Sequence, residues 1–298
     1  MPYQYWGFGL YISSQIAFPE LLPCSFAEAD ISIQLGGIPG SITGNTVSNK
    51  FGSYTLGQQE MLFRITGVAD YLAQNGTTIL ITPSEEVTEM RLVRLFVLAT
   101  VMAAILTQRE QLCIHASAVL HNNELVLLTG DSGAGKSTSL AGLMKKGHTI
   151  FSDDIVVMDT ALSITASYPM IKLWEDAQEK LDHDLFDDQS FAIKPGMNKY
   201  GIFFHNHFDT GRYQAKKLLI LRKGDTETIQ CRQLMAAEAF NQVTQQVYRP
   251  LLLHTPALKA LTFRIATGLV NSCEVYEITR PSVCRIEDLV EQVEKLFV

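Results

Sequence analysis

The chain has 298 residues, of which 47% are hydrophobic, so it is long enough to form a globular protein with one large domain or two of ordinary size. Its formal net charge is −7, and no run of lysines or arginines offsets this, which argues against the electrostatic attraction that nucleic acids and anionic membranes require. We therefore expect neither nucleic acid nor membrane as a partner.

The cysteine pattern and the apolar segments favour a cytoplasmic protein. The 5 cysteines are widely spaced and form no CxxC pair or Cys/His cluster, so neither a disulfide framework nor a structural zinc site is indicated. The N-terminal MPYQYWGFGLYISSQ lacks the basic and apolar regions of a signal peptide. The apolar stretch RLFVLATVMAAIL is shorter than the roughly 20 residues that span a bilayer, and we interpret it as a buried helix.

Residues 1–83 consist of short β-prone runs separated by Gly, Asn, Ser and Pro, which predict a small, mostly-β N-terminal domain. The segment over residues 84–110 is rich in helix-forming residues. It places Glu85 and Glu86 in its first turn, where carboxylates complement the helix dipole. We therefore predict a long helix over 84–110 that links two domains.

Residues 111–298 alternate strand and helix patterns, which is the arrangement of a nucleotide-binding α/β core. The strand patterns are CIHASAVL, LVLLTG, HTIFS, IVVMD, KKLLILRK and CEVYEIT. The helix patterns are KSTSLAGLMKK, MAAEAFNQVTQQVY, ALKALTFRIATGL and IEDLVEQVEKLF. The predicted fold class is α/β, with the mostly-β domain preceding an α/β domain over 111–298.

The segment GDSGAGKS, residues 130–137, fits the phosphate-binding pattern G-x-x-x-x-G-K-[ST] and lies between a predicted strand and a predicted helix. Glycines let the backbone N–H groups of such a loop turn toward phosphates, and the helix N-terminus adds its positive dipole end. We expect Lys136 to reach the β- and γ-phosphates of a nucleotide and Ser137 to bind Mg²⁺. The predicted nucleotide-binding residues are Gly130, Asp131, Ser132, Gly133, Ala134, Gly135, Lys136, Ser137, Thr138 and Lys199.

Two adjacent carboxylates, Asp153 and Asp154, follow the strand pattern HTIFS at the distance after the loop that a metal-binding carboxylate requires. At a strand end both can face one site, so one could bind the metal while the other accepts a proton. An acidic turn that caps the next element would give the same pair of residues. His115 precedes the loop by one strand, and by itself it would be an ordinary hydrogen-bonded core residue.

Together, His115, LLTGDSGAGKS and LMKKGHTIFSDD resemble the catalytic domain of the HPr kinase/phosphorylase family. The resemblance implies a P-loop kinase core of the HPr kinase and phosphoenolpyruvate carboxykinase-like type, with ATP and Mg²⁺ as cofactors. It further implies that Asp153 contacts the metal, that Asp154 is the catalytic base and that His115 supports this base. The predicted catalytic residues are therefore Asp154, His115 and Lys136.

The chain departs from that family in two places. Thr138 stands where the family has an acidic residue after the loop serine, and NKYGIFF occupies the region of the glycine-rich signature that supports phosphorolysis. We therefore expect a kinase that phosphate does not reverse.

YWGFGLYISSQIAFPELLP and YPMIKLWEDA resemble a divergent group of HPr-kinase-like proteins, the lasso-peptide kinases, which phosphorylate a serine at the end of a precursor peptide. This resemblance implies a precursor peptide as the substrate and its serine hydroxyl as the acceptor. HPr protein or a small molecule is an alternative acceptor. An ATP-binding regulatory module is the alternative without catalysis. The sequence leaves open whether the chain forms a homo-oligomer.

Further basic residues are candidates for binding a phosphate or a substrate carboxylate. Lys194 and Lys199 lie in IKPGMNKYG, and of these we favour Lys199. His205 and His207 lack partners at metal-ligand spacing, and we interpret them as part of a polar loop. The arginine candidates, which the sequence does not distinguish, are Arg212, Arg249 and Arg264.

Overall fold

The computed structural model describes residues 1–175, 190–193 and 198–297. The chain divides into two compact units, each made of two sequence ranges. The first unit comprises Met1–Cys113 and Arg249–Leu261, and the second comprises Ile114–Tyr248 and Thr262–Val298. Both units combine strands with helices, so the predicted mixed α/β class is confirmed.

The first unit is built on a mixed sheet with the strand order β3-β1-β2-β4-β9-β8-β7-β6-β5. Its strands are β1 (Tyr3–Gly7), β2 (Leu10–Ser14), β3 (Leu22–Pro23), β4 (Ile31–Leu35), β5 (Asn45–Asn49), β6 (Gly52–Leu56), β7 (Glu60–Ile65), β8 (Ala69–Gln74) and β9 (Thr78–Pro83). β4 pairs in parallel with β2 and with β9, whereas the hairpins from β5 to β9 are antiparallel. The sheet occupies the region that the sequence predicts to be mostly β.

The helical segment that follows the sheet begins later than predicted. It consists of α1 (Met90–Phe96), a π-helical stretch (Val97–Val101) and α2 (Met102–Gln108). Glu85 and Glu86 lie in a turn before α1, so their placement in the first helical turn was wrong. Ser84 explains the difference, because its hydroxyl accepts the Glu86 N–H at 3.2 Å and its carbonyl accepts the Val87 N–H at 3.1 Å. Such local bonds offer the backbone an alternative to the helix.

The same segment packs within the first unit rather than standing between two domains. Among the described residues, Met90–Gln108 passes a length and composition test for a membrane span, with 19 residues and a mean hydropathy of 1.9. However, 61% of its most apolar 18-residue window is buried, and every residue from Val97 to Leu106 is in the core. The Tyr71 hydroxyl of β8 donates to the Val93 carbonyl at 3.1 Å, which ties the helix to the sheet. The interpretation of this apolar stretch as a buried helix is confirmed.

A mixed sheet with the strand order β13-β11-β12-β20-β22-β21 forms the centre of the second unit. Its strands are β11 (Ala116–His121), β12 (Glu124–Gly130), β13 (Thr149–Ser152), β20 (Ala215–Gly224), β21 (Gln230–Gln233) and β22 (Glu274–Pro281). β12, β20 and β22 are parallel to one another, and the remaining neighbours are antiparallel. Helices α3 (Lys136–Lys145) and α6 (Ile286–Glu294) contribute Leu140, Leu143, Leu289 and Val290 to a core shared with Leu219 of β20.

The other strands of the second unit form smaller antiparallel groups. One has the order β16 (Met170–Trp174), β18 (Lys199–Phe203), β17 (Ser190–Ala192), and another pairs β14 (Val156–Met158), β15 (Ile164–Ala166) and β19 (Arg212–Tyr213). Further helical elements in the described ranges are α4 (Ala236–Gln245) and the 3-10 turn His205–His207 in the second unit, the 3-10 turn Pro250–Leu252 in the first unit, and α5 (Pro256–Ser272). The division between the two units falls inside α5, after Leu261.

The predicted strand CIHASAVL is interrupted at His115, since β10 (Leu112–Ile114) ends before it and β11 begins after it. At this break the His115 N–H donates to the Gln246 carbonyl at 2.8 Å instead of continuing a ladder. His115 therefore occupies an irregular position just before the start of β11, which is an interior strand of the central sheet.

Candidate active site

The loop Gly130–Ser137 connects β12 to α3, and it requires glycine at two positions, Gly130 and Gly135. The ideal Cβ position on Gly130 lies 2.1 Å from the Leu221 carbonyl oxygen of β20, so any side chain there would collide with backbone. Gly135 has a φ of 114°, in the left-handed region, and precedes the first helical residue, Lys136. The glycines thus allow the chain to leave the sheet and enter the helix within one tight loop.

Lys136 places its ammonium inside this loop. Its Nζ donates to the Gly130 carbonyl at 2.6 Å and to the Asp131 carbonyl at 3.3 Å, and the residue is buried. Burial lowers the pKa of Lys136, although Asp153 and Asp154 act in the opposite direction. The loop therefore already holds a cation at the start of α3, whose N-terminus adds a positive dipole end.

Arg280, at the end of β22, holds the middle of the loop. Its Nε donates to the Ala134 carbonyl at 2.8 Å, and one terminal nitrogen donates to the Gly133 carbonyl at 2.9 Å. Across a trans peptide the carbonyl and the following N–H point in opposite directions. By fixing the Ala134 carbonyl, Arg280 therefore also fixes the direction of the Gly135 N–H.

Asp153 follows β13 directly and is 2% exposed. Its carboxylate accepts the Ser117 hydroxyl at 2.6 Å, the Ser137 hydroxyl at 3.1 and 3.2 Å, and the backbone N–H of Lys172 at 2.9 Å. These donors come from β11, α3 and β16, so three elements fix its orientation. The Asp153 carboxylate therefore connects Ser137 of the loop to β11 and β16 through hydrogen bonds.

Asp154 turns into the same pocket because its backbone is left-handed, with a φ of 70°. Its Oδ2 lies 2.5 Å from Lys172 Nζ, and its Oδ1 lies 3.4 Å from His115 Nδ1. Burial by itself raises the pKa of a carboxyl group, but the Lys172 ammonium and His115 hold the pKa of Asp154 well below its usual value. The same pairing outweighs burial at Lys172 and raises the pKa of its ammonium. Asp154 is therefore ionised at any ordinary pH.

The proton position on His115 follows from its partner. His115 Nδ1 lies 2.8 Å from the Asp154 backbone carbonyl, which can only accept, so Nδ1 carries a proton. Burial lowers the pKa of His115, while Asp154 opposes this shift. Near neutral pH the ring is thus uncharged, with its proton on Nδ1 and an accepting Nε2.

These groups line one cavity of about 470 Å³ in the second unit. The cavity brings together all the predicted catalytic and metal-binding residues, namely His115, Lys136, Ser137, Asp153 and Asp154. From the predicted nucleotide-binding set it also includes Ser132, Gly133, Gly135, Thr138 and Lys199, whereas Gly130, Asp131 and Ala134 belong to the loop without lining the cavity. The roles of these residues stay predictions.

Lys199 and Trp174 lie beside each other at the cavity. They are paired across β18 and β16, and Lys199 Nζ lies 5.8 Å from the centre of the Trp174 ring. Trp174 is 44% exposed, which is unusual for a tryptophan. The positive charge of Lys199 also contributes to lowering the pKa of Asp154. Lys194, the other candidate lysine, is outside the described residues.

The arginines that line the cavity are not the predicted ones. Among the described residues, Arg280 and Arg285 line it. The three candidates Arg212, Arg249 and Arg264 do not. His205 and His207 form a 3-10 turn away from the cavity. In the described ranges no group of three or more His, Cys, Asp or Glu residues has the arrangement of a metal site.

The sequence analysis missed Ser117, Lys172 and Arg280, which hold the groups of the site in place. It also missed other residues that line the cavity, namely Ser139, Leu173, Trp174, Cys284, Arg285, Ile286 and Leu289. A signal for Lys172 was available, because it is the one charged residue in the otherwise apolar strand MIKLW. A buried lysine in a strand needs an acidic partner. Ser117 and Arg280 stand in segments whose patterns are those of ordinary strands, so the sequence contains no comparable signal for them.

No protein-family profile matches the sequence, and no curated protein matches it. Among solved structures, the chain is similar to the HPr(Ser) kinase/phosphatase from Coxiella burnetii, with 14% identity and a TM-score of 0.33. The similarity covers 62% of this chain and 94% of that chain. A likeness of this size leaves the function to be argued from the residues of the cavity.

Proposed function

We propose that this chain is an ATP-dependent kinase that transfers the γ-phosphoryl group to a serine hydroxyl of a peptide. The observation that carries the proposal is the content of one cavity: the Gly130–Ser137 loop with the Lys136 ammonium, and the carboxylates of Asp153 and Asp154. Phosphoryl transfer depends mainly on positioning and on neutralising charge, and these groups supply both. A purely regulatory module would need no proton acceptor beside the phosphates, and we assign that role to Asp154.

Ser137 and Asp153 fit a magnesium ion. Two oxygens that bind one Mg²⁺ at about 2.1 Å in adjacent octahedral positions lie about 3 Å apart. The Ser137 hydroxyl lies 3.1 and 3.2 Å from the two Asp153 oxygens, and hard oxygen donors are those that Mg²⁺ prefers. The Ser117 hydroxyl and the Lys172 N–H would hold Asp153 in place behind the ion. When bound, Mg²⁺ would neutralise charge on the nucleotide phosphates.

We assign to Asp154 the role of orienting the acceptor hydroxyl and accepting its proton. The pairing with Lys172 makes it a weak base, but it also keeps the carboxylate ionised and fixed in direction. In a loose transition state the acceptor oxygen gains little positive charge before the phosphoryl group arrives. A weak base that orients the hydroxyl and takes its proton late is therefore sufficient.

His115 has a supporting role in this scheme. Its Nδ1–H binds the Asp154 carbonyl at 2.8 Å and so stabilises the left-handed turn that aims the carboxylate into the cavity. Because the ring is neutral near pH 7, it does not compete with Lys172 for the carboxylate charge. Loss of His115 should therefore act through the position of Asp154.

The peptide acceptor is supported by the likeness of YPMIKLWEDA to lasso-peptide kinases and by two side chains at the cavity, Trp174 of this segment and Lys199 of the neighbouring strand β18. Trp174 offers an exposed ring to an apolar side chain, and Lys199 offers a cation to a C-terminal carboxylate. We propose the C-terminal serine of a precursor peptide as the acceptor. HPr protein or a small alcohol is the alternative, and the charge and cysteine pattern favour a cytoplasmic setting without nucleic acid or membrane.

Mass spectrometry of peptides incubated with the protein and MgATP tests this proposal. We expect one phosphate on a precursor-type peptide that ends in serine and none on the same peptide with the terminal Ser→Ala change. Phosphate on the Ser→Ala peptide would contradict the terminal acceptor. Transfer to a small alcohol or to HPr but to no peptide would contradict the peptide class and leave a kinase. Binding of MgATP without transfer to any hydroxyl would favour the regulatory alternative.

A further inference from the structure

The cavity has two chemically different walls. The wall described above carries its carboxylates, Asp153 and Asp154, together with Lys172. A second group of lining residues comes from the end of β22, the start of α6 and the segment between them, and consists of Arg280, Cys284, Arg285, Ile286 and Leu289. Among the described lining residues this second wall has no carboxylate. Beside the cations of Arg280 and Arg285, the side chains of Cys284, Ile286 and Leu289 form a part of this wall that suits an uncharged, largely apolar part of a ligand.

The second wall contacts the loop at a defined place. A Cβ on Gly135 would lie 3.2 Å from Leu289 Cδ2 and 3.6 Å from Arg280 Nε, so the wall reaches the loop where α3 begins. At its other side the loop touches the acidic wall, where the Ser137 hydroxyl binds Asp153. A chain of phosphates that followed this loop would run between the acidic wall at Ser137 and the second wall at Gly135.

We propose that Cys284, Ile286 and Leu289 form the nucleoside subsite, which receives the ribose and base of the nucleotide. This inference rests on the proposed function, because it takes the acidic wall as the site of the transferred phosphoryl group. The apolar side chains would pack against the faces of the base and sugar. Arg280 is held by the loop carbonyls and would lie at the phosphate end of the subsite.

Ser139 gives independent support. Its hydroxyl is fully buried and has no hydrogen-bond partner within the described part of the chain, although the residue lines the cavity. The hydroxyl would lie 3.9 Å from a Cβ on Gly135, on the side of the loop that faces Leu289. Buried polar groups rarely lack a partner. A ligand oxygen that reaches this end of the cavity would provide one.

Thiol labelling of the unmodified protein tests the subsite. Cys284 lines it, whereas Cys231 is an exposed thiol on β21 outside the cavity and serves as the internal control. Labelling by iodoacetamide would be followed by peptide mass spectrometry with no ligand, with MgATP and with magnesium tripolyphosphate. We expect MgATP to slow labelling of Cys284 by at least about fivefold because the nucleoside covers it. Tripolyphosphate should leave Cys284 accessible, and neither ligand should protect Cys231.

The outcomes separate the subsite from the proposed function. Calorimetry with both ligands establishes that they bind. Equal protection of Cys284 by the two ligands, or no protection by bound MgATP, would overturn the subsite and leave the phosphate site standing. Binding of neither ligand would overturn the proposed function and the subsite with it.

A substitution supplies a second test. Ile286→Ser should weaken MgATP binding by about tenfold, since it removes apolar contact with the nucleoside, and should change tripolyphosphate binding less than twofold. Val283→Ser is the matched control, because Val283 is 92% exposed and does not line the cavity. Retained tripolyphosphate binding shows that the Ile286→Ser protein is folded. Equal losses for both ligands, or MgATP binding like that of the control, would contradict the subsite.

Discussion

Lys172 Nζ lies 2.5 Å from Asp154 Oδ2, and the backbone N–H of the same lysine binds Asp153 at 2.9 Å. One residue of β16 thus positions both carboxylates of the candidate active site. Its ammonium charge acts on the proposed base, while its backbone acts on the proposed metal ligand. A change to the side chain should therefore affect Asp154 and leave the contact to Asp153 intact.

Lys172→Met should shift the pH dependence of transfer. Because Lys172 holds the pKa of Asp154 well below its usual value of 3.8, the wild-type carboxylate stays ionised as the pH falls. Without the ammonium, burial dominates and the pKa rises, so the acid limb of kcat/KM should move to higher pH by about one unit or more. Lys172→Arg keeps the charge and should retain most of the wild-type profile. An unchanged acid limb in Lys172→Met would show that Lys172 does not act through Asp154.

Lys136→Ala should abolish turnover and weaken MgATP binding. The substitution removes the cation held inside the loop and also the bonds to the Gly130 and Asp131 carbonyls. We expect a rise in Kd of at least about tenfold, measured by calorimetry. Lys145→Ala, at the exposed far end of α3, is the control and should behave as wild type. A folded Lys136→Ala protein with undiminished transfer would refute the assignment of the loop.

Asp153→Asn should raise the magnesium requirement. It replaces one of the two oxygens proposed to bind the ion by a neutral amide, so the Mg²⁺ concentration for half-maximal activity should rise by at least about tenfold. Asp225→Asn, an exposed change outside the cavity, is the control. If activity titrates with Mg²⁺ in Asp153→Asn as it does in the wild type, then Asp153 is not a ligand.

Arg280→Ala should loosen the loop without removing a chemical group from the transfer step. It eliminates the two bonds to Gly133 and Ala134, and the affinity for MgATP should fall by about tenfold while kcat changes much less. Arg232→Ala removes an exposed arginine that pairs with Glu238 and Glu277, and it should leave both parameters near the wild-type values. A loss confined to kcat would point to direct contact with the transferred group.

The parts of the site that the sequence predicted are those fixed by local patterns. GDSGAGKS has a spacing that only a small set of loops shares, and Asp153 and Asp154 follow a strand at a short distance from it. The apolar helix around Val97–Leu106 was also evident from composition alone. Such local patterns can be recognised without knowing which distant segments of the chain contact each other.

The rest depended on tertiary contacts. Lys172 and Arg280 reach the site because β16 and β22 pass beside it. The lone charge in MIKLW indicates that Lys172 needs an acidic partner, but the sequence does not show which distant residue that partner is. The start of α1 at Met90 was missed because Ser84 forms a local turn that competes with helix formation. The predicted boundaries 1–83, 84–110 and 111–298 could not anticipate that Arg249–Leu261 belongs to the first unit, since that assignment depends on contacts far apart in the chain.

The most direct measurement is the rate of phosphoryl transfer from MgATP to a serine-ending peptide by wild-type and Asp154→Asn proteins, with MgATP affinity measured in parallel. Asn has nearly the same shape as Asp but cannot accept the proton in the same way. We predict that the wild type transfers one phosphate and that Asp154→Asn binds MgATP normally but transfers it roughly 10²–10⁴ times more slowly. Equal rates in the two proteins, or no transfer by a wild type that binds MgATP, would contradict the account.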